Sequence, residues 1–136
     1  MVLKSPQASA QSGLWKTCMN TAAEAYKQGR YADAEEPLKA ALKEVQGLGQ
    51  DIRLGTTLNK LALLYHAHGM YAEAEPLYKR SLAIREALGS EHSNLAQGLE
   101  NYATLLRATN REDHAAKLRA RASAIRSKHA RENPPK

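Results

Sequence analysis

The residues whose types and spacing come nearest to a chemical site are His66, His68 and Cys18. On a helix, positions i and i+2 point to different faces, so the two histidines do not form a ligand pair. No third residue has the spacing of a zinc site. Cys18 would need a base and an orienting partner to act as a nucleophile, and the sequence carries no signature of either. We interpret Cys18 as a small apolar core residue and expect neither a metal nor a cofactor.

Other motifs of catalysis are also missing from the sequence. It has no glycine-rich phosphate loop, no nucleophile elbow and no pair of carboxylates in a catalytic motif. We therefore do not expect an enzyme. A chain with one cysteine cannot form an internal disulfide, so the fold does not depend on an oxidising compartment.

The composition favours one helical domain with acidic partners. The 136 residues are 43% hydrophobic, mostly Ala and Leu, which favour helices. The formal net charge of +6 favours acidic partners. No apolar run approaches the roughly 20 residues that span a bilayer, and residues 1–13 lack the apolar core of a signal peptide. We expect a cytoplasmic protein, with export after removal of a signal peptide as the open alternative.

A sequence pattern recurs at intervals of about 40 residues. The segment GRYADAE at 29–35 returns as GMYAEAE at 69–75, and a weaker third copy has Asn110 in place of Gly69. Such self-similarity is the signature of a repeat protein, in which stacked units bury a shared core.

Each unit contains two helical stretches separated by Gly or Asn. In the second unit Leu58, Leu61, Ala62 and Tyr65 fall at i, i+3, i+4 and i+7, which is one face of a helix. Gly suits the left-handed residue that ends a helix, and Asn is its usual substitute. We predict six helices, paired within three units.

The pattern from Ala62 to Leu82, A-x-x-Y-x-x-x-G-x-Y-x-x-A-x-x-x-Y-x-x-S-L, resembles the tetratricopeptide-repeat (TPR) consensus. The unit length and the join LGSEH at 88–92 resemble the longer repeats of kinesin light chains. The resemblance implies an all-α, right-handed superhelix of three helix-turn-helix repeats with a C-terminal helical extension. The expected boundaries are a disordered segment at 1–13, repeats at 14–50, 51–90 and 91–130, and a disordered tail at 131–136.

In that family the first helix of each repeat lines a concave groove that binds a segment of another protein. Carried over by register, the expected groove residues are Lys16, Asn20, Tyr26, Lys27, Asn59, Lys60, Leu63, His66, Gln97, Asn101, Thr104 and Arg107. The same register includes Met19, Ala23, Thr56, Ala67, Glu100 and Ala108. Four cations against one acid favour an acidic partner segment, and the amides suit a peptide backbone. The resemblance thus implies a protein-interaction module.

The C-terminal segment supports an alternative function. Between residues 117 and 136 a single acid, Glu132, accompanies seven cations: Lys117, Arg119, Arg121, Arg126, Lys128, Arg131 and Lys136. Clustered cations bind phosphates, so the alternative is binding of nucleic acid or an anionic surface. No aromatic residue interleaves these cations to stack on bases, and a terminal repeat needs a polar outer face. We therefore prefer the protein-interaction interpretation.

Trp15 raises the possibility of a homodimer. It stands beside Leu14 at the expected open end of the first repeat, where a short array leaves apolar surface. The other interpretation is that its ring folds back onto the second helix of the first repeat.

Overall fold

The computed structural model describes residues 6–48, 51–89 and 93–135, which form six α-helices and a short 3₁₀ helix, Gln46–Leu48. The α-helices are α1 (Pro6–Lys27), α2 (Tyr31–Val45), α3 (Ile52–Ala67), α4 (Tyr71–Ala87), α5 (Ser93–Ala108) and α6 (Glu112–Glu132). The described residues contain no strand. The prediction of an all-α repeat fold with six helices is confirmed.

The turn inside each repeat has the same geometry. Gly29, Gly69 and Asn110 have φ values of 75°, 73° and 62°, in the left-handed region. In each case the next residue donates its N–H across the turn at 2.8 Å, from Arg30 to Ala25 O, from Met70 to Tyr65 O and from Arg111 to Leu106 O. This bond satisfies a carbonyl that the helix end leaves without a partner. The repeated turn makes each helix pair antiparallel.

Small side chains let the paired helices approach closely. Ala34, Ala62, Ala74, Ala103 and Ala115 are fully buried or nearly so. Around them the core runs continuously from one repeat to the next, because side chains of the first repeat pack on α3 and those of the second pack on α5. Each repeat therefore depends on its neighbour to bury its apolar face.

The helices extend beyond the expected domain limits at both ends. We expected disorder over 1–13, but α1 begins at Pro6, and residues 1–5 lie outside the described part of the chain. Proline suits the first position of a helix, where its missing N–H costs nothing, and the alanines that follow favour helix. At the other end α6 continues to Glu132, two residues past the predicted limit of the repeats.

Trp15 does not occupy an open end of the stack. Its Nε1 donates a hydrogen bond to Thr57 Oγ1 on α3 at 2.8 Å. Its ring packs against an apolar cluster that includes Val45, Leu54 and Leu58. Trp15 therefore joins the first repeat to the second, which contradicts the premise of a homodimer formed through this residue.

The outward faces at the two ends of the stack are polar. Glu24 of α1 occupies the position in its repeat that Leu64 of α3 occupies in the next. Leu64 is buried, whereas Glu24 is exposed. Arg119 of α6 occupies the position that Tyr78 of α4 occupies in the second repeat. Tyr78 is buried, whereas Arg119 pairs with Glu112 at 2.7 Å. At these two positions, therefore, the outer helices carry charged side chains where the equivalent inner helices carry buried Leu and Tyr.

A carboxylate on α4 joins the second repeat to the third. Glu75 accepts hydrogen bonds from the Tyr102 hydroxyl at 2.6 Å and from both terminal nitrogens of Arg111 at 2.8 Å. The Arg111 hydrogen bonds, helped by Tyr102, lower the pKa of Glu75 from 4.5 to about 2 against the opposing effect of burial. The ionised carboxylate is therefore the form that stabilises the joint.

This joint predicts an acid-sensitive part of the stability. The folded protein keeps the Glu75 carboxylate ionised at pH values below its ordinary pKa. The contribution of this carboxylate to the free energy of unfolding is therefore complete above about pH 4.5 and is lost as the pH falls towards about 2. We expect the free energy of unfolding, measured with urea, to fall over this range. In Glu75→Gln that part of the pH dependence should be absent, and an unchanged pH profile would contradict the assignment.

Arg85 is a buried cation at the same junction between repeats. Only 5% of the residue is exposed, and one guanidinium N–H donates to the Asn94 carbonyl at 2.9 Å. Its Nε has no hydrogen-bond partner among the described residues. A Cβ at Gly98 would lie 3.0 Å from Arg85 Nη1, so glycine leaves the space that the guanidinium fills. Burial lowers the pKa of Arg85 because it disfavours the charged form.

We expect Arg85→Met to be neutral or stabilising by up to about 2 kcal/mol. A buried charge with incomplete hydrogen bonding costs desolvation free energy that an unbranched apolar side chain does not. The free energy of unfolding from urea titration tests this. A loss of more than about 1 kcal/mol would show that the guanidinium contacts outweigh their desolvation.

Candidate functional site

Helices α1, α3 and α5 form one surface of the stack, which we call the groove. Contacts between Trp15 and Thr57 and between Asn59 and Asn101 link these helices directly. Between α1 and α3 the groove contains a pocket of about 230 Å³. The pocket is lined by Met19, Ala22, Ala23, Tyr26, Lys27, Leu38, Lys60 and Leu63.

The pocket combines apolar walls with two cations. Four of the expected groove residues, Tyr26, Lys27, Lys60 and Leu63, come together here. Lys27 and Lys60 are exposed and form no ion pair with any residue in the described ranges. The ring of Tyr26 lies 4.8 Å from that of Tyr31 and remains 38% exposed. Burial, together with Tyr31, raises the pKa of the Tyr26 phenol, so this side chain stays neutral.

The register alone missed two residues that complete the pocket. Ala22 and Leu38 are buried and contribute to its walls. Leu38 belongs to α2, the second helix of the first repeat, so a rule that considers only first helices excludes it. The small side chain of Ala22, which packs in one cluster with Leu38 of α2, was the available signal.

The second half of the groove carries a row of amides. Gln97 Nε2 donates to Asn101 Oδ1 at 3.0 Å, and Asn101 Nδ2 lies 3.5 Å from Asn59 Oδ1. Gln97 is exposed and Asn101 half-buried, but Asn59 is only 5% exposed. We expected Asn59 to be open to a ligand, whereas it lies beneath Asn101 because α3 and α5 approach closely at this point.

His66 lies one turn beyond Leu63 on α3 and faces α4. Its Nδ1 is 3.1 Å from the Tyr78 hydroxyl, and its ring is half-buried against Tyr71. Burial lowers the pKa of the imidazole. At neutral pH His66 therefore adds no positive charge to the groove.

Four expected groove residues lie apart from the pocket and the amide row or use their polar groups elsewhere. Asn20 lines a polar cleft with Glu24 and Arg30, beside the pocket and not in it. The Thr104 hydroxyl donates to its own helix, at 3.0 Å from Glu100 O. Arg107 pairs with Glu112 at 3.2 Å, and Lys16 is exposed on α1 and does not line the pocket.

Three of the seven cations in the basic C-terminal segment pair with acids that lie outside residues 117–136. The sequence count contrasted its cations with one acid, but several of its arginines form ion pairs with acids on α4, α5 and the start of α6. These pairs are Arg119–Glu112, Arg121–Glu86 and Arg126–Glu100. The cluster is therefore weaker as a phosphate-binding surface than the sequence indicates.

The described residues contain no group of three or more His, Cys, Asp or Glu side chains placed to hold a metal ion. Cys18 is partly buried on α1. Among the helices described, none combines the length and the apolar character needed to cross a membrane.

Comparison with known proteins gives a consistent result. The sequence profile of the tetratricopeptide repeat matches residues 53–128. Among 29 matching chains of solved structures is BtubC (BKLC) from P. vanneervenii, with a TM-score of 0.75 and 25% sequence identity over 90% of this chain. The match covers 49% of BtubC, so this chain spans about half the length of that protein. No curated protein matches the sequence significantly.

Proposed function

Because the chain belongs to the tetratricopeptide-repeat family, we propose that it holds a short acidic segment of another protein in its groove. TPR repeats indicate a protein-interaction scaffold, a role in which the fold typically performs no chemistry. The finer points of the proposal are the acidic character of the segment and its place against α1 and α3.

The pocket between α1 and α3 is the observation that carries the proposal. Its volume of about 230 Å³ suits one apolar side chain, held by Met19 and Leu63 among others. Lys27 and Lys60 line the same pocket without ion pairs in the described part of the chain. Carboxylates beside the anchored side chain would accept charge-assisted hydrogen bonds from these lysines.

The charges of the groove support one orientation of the bound segment. Towards the third repeat, Glu100 pairs with Arg126, and Arg107 shares Glu112 with Arg119. The groove cations that have no ion pair among the described residues therefore belong to α1 and α3. We place the acidic end of the segment there.

The amide row suits the less charged part of the segment. Asn101 and Gln97 lie along α5 and can both donate and accept hydrogen bonds, as a peptide backbone requires. Backbone contacts of this kind hold a chain without selecting its side chains, so selectivity would come from the pocket and its lysines.

A random twelve-residue peptide library displayed on phage tests the proposal. We expect the wild-type protein to enrich peptides with Asp or Glu next to an apolar residue. A Lys27→Glu, Lys60→Glu variant with unchanged helical content should not enrich them. The proposal fails if the wild-type protein enriches no peptide, or if both proteins enrich the same acidic peptides.

A further inference from the structure

Tyr78 on α4 is fully buried and contacts His66 on α3. Its hydroxyl lies 3.1 Å from His66 Nδ1. The imidazole also meets the rings of Tyr71 and Tyr78 edge-on, with centroids 5.4 and 6.1 Å away and interplanar angles of 78° and 88°. Two rings of α4 thus fix the position of one imidazole on α3.

The burial of Tyr78 determines the direction of this hydrogen bond. A buried phenol stays neutral, because burial raises the pKa of Tyr78 by penalising its charged form. Its O–H then needs an acceptor, and the described contacts give the hydroxyl His66 Nδ1 alone. The phenol therefore donates and Nδ1 accepts. A neutral imidazole that accepts at Nδ1 carries its proton on Nε2.

We infer that Tyr78 is a positioning residue that fixes His66 as the Nε2–H tautomer, so that the groove presents one oriented N–H donor. The inference rests on the proposed function for its use, since the donor would serve a carbonyl or carboxylate oxygen of the bound segment. His66 is well placed for this, because it lies one turn from Leu63 in the pocket and is only partly buried. It would mark the boundary between the cationic pocket and the amide row.

Ring nitrogen chemical shifts test the tautomer on the protein alone. In ¹⁵N-labelled wild-type protein at neutral pH, we expect the His66 Nδ1 resonance of an unprotonated nitrogen and the Nε2 resonance of a protonated one. Tyr78→Phe keeps the ring in the core and removes the hydroxyl, so the two tautomers should then be mixed. An Nδ1–H tautomer in the wild type, or an unchanged tautomer in Tyr78→Phe, would overturn the inference.

Binding of a defined peptide tests the donor. The probe is the acidic twelve-residue peptide most enriched by the wild-type protein in the library selection. His66→Leu should weaken its affinity about tenfold through loss of one hydrogen bond. His66→Gln places an amide N–H near the position of Nε2 and should therefore keep most of the wild-type affinity. Equal affinities for the Leu and Gln variants would contradict a donor role.

The two measurements separate this inference from the proposed function. If peptides bind but His66 is found as the Nδ1–H tautomer, the positioning role of Tyr78 fails and the groove proposal stands. If no peptide binds the wild type, the proposed function and the donor's use fail together. The nitrogen shifts then still decide whether Tyr78 fixes the tautomer.

Discussion

Replacing Tyr78 with alanine lowers the free energy of unfolding by about 3–5 kcal/mol. The residue has no exposed surface, and its ring stacks on that of Tyr102 at 6.0 Å with an interplanar angle of 18°. The substitution leaves a cavity at the junction of α3, α4 and α5 and removes the hydrogen bond to His66. Urea unfolding followed by circular dichroism measures the change.

Tyr26→Ala is the matched control for this prediction. Tyr26 has the same side chain, but it is 38% exposed and lies at the rim of the pocket. Its loss should cost less, about 1–2 kcal/mol, because more than a third of the residue is already exposed to water. A cost below about 1 kcal/mol for Tyr78→Ala itself would mean that the second and third repeats do not pack as described.

We expect the double charge reversal Lys27→Glu, Lys60→Glu to lower the affinity for the acidic peptide at least about a hundredfold. Each charge-assisted hydrogen bond contributes about 1.5–3 kcal/mol, and about 1.4 kcal/mol corresponds to a factor of ten in affinity. The reversal also places like charges opposite each other. Fluorescence anisotropy of the labelled peptide gives the two dissociation constants.

A control variant separates the pocket from the net charge of the protein. Lys43→Glu, Arg80→Glu changes the formal charge by the same amount at two exposed residues of α2 and α4 that have no ion pair among the described residues. We expect this variant to lose less than about threefold in peptide affinity, because only the long-range attraction is weaker. Equal losses in the two variants would show that peptide affinity follows net charge and not the pocket.

The sequence was sufficient to predict the fold because its repeat has local physical causes. Gly29, Gly69 and Asn110 stand where the chain needs a left-handed residue, and the structure has all three in that conformation. The alanines at the helix contacts follow the same period and are buried. Each of these signals is read within one repeat, so no knowledge of distant contacts is needed.

The groove was harder to predict because it depends on contacts between repeats. The register placed Lys27, Lys60 and Leu63 on one surface, and the structure brings them to one pocket. It also placed Asn20 there, although that residue lines a neighbouring polar cleft and not the pocket. A period of repeats gives the face of a helix only approximately, and residues at the edge of that face are assigned least well.

Charge balance was the least predictable property. Arg126 and Glu100 are 26 positions apart in sequence, and Arg121 and Glu86 are 35 apart, yet both pairs are in contact. A count of charges along the C-terminal segment therefore overstates its positive field. Trp15 was misplaced for the same reason, since its partner Thr57 is 42 positions away.

A charge exchange between the protein and the selected peptide decides whether Lys27 and Lys60 hold the acidic end of the segment. The affinities of wild type and Lys27→Glu, Lys60→Glu are compared for the acidic peptide and for a version with its acids changed to lysine. We predict weak binding of the acidic peptide to the variant and of the lysine peptide to the wild type. The lysine peptide should bind the variant at least about tenfold more tightly than either of these mismatched pairs binds. If the exchanged peptide shows no recovery, while the acidic peptide still binds the variant, the acidic end of the segment does not lie against α1 and α3.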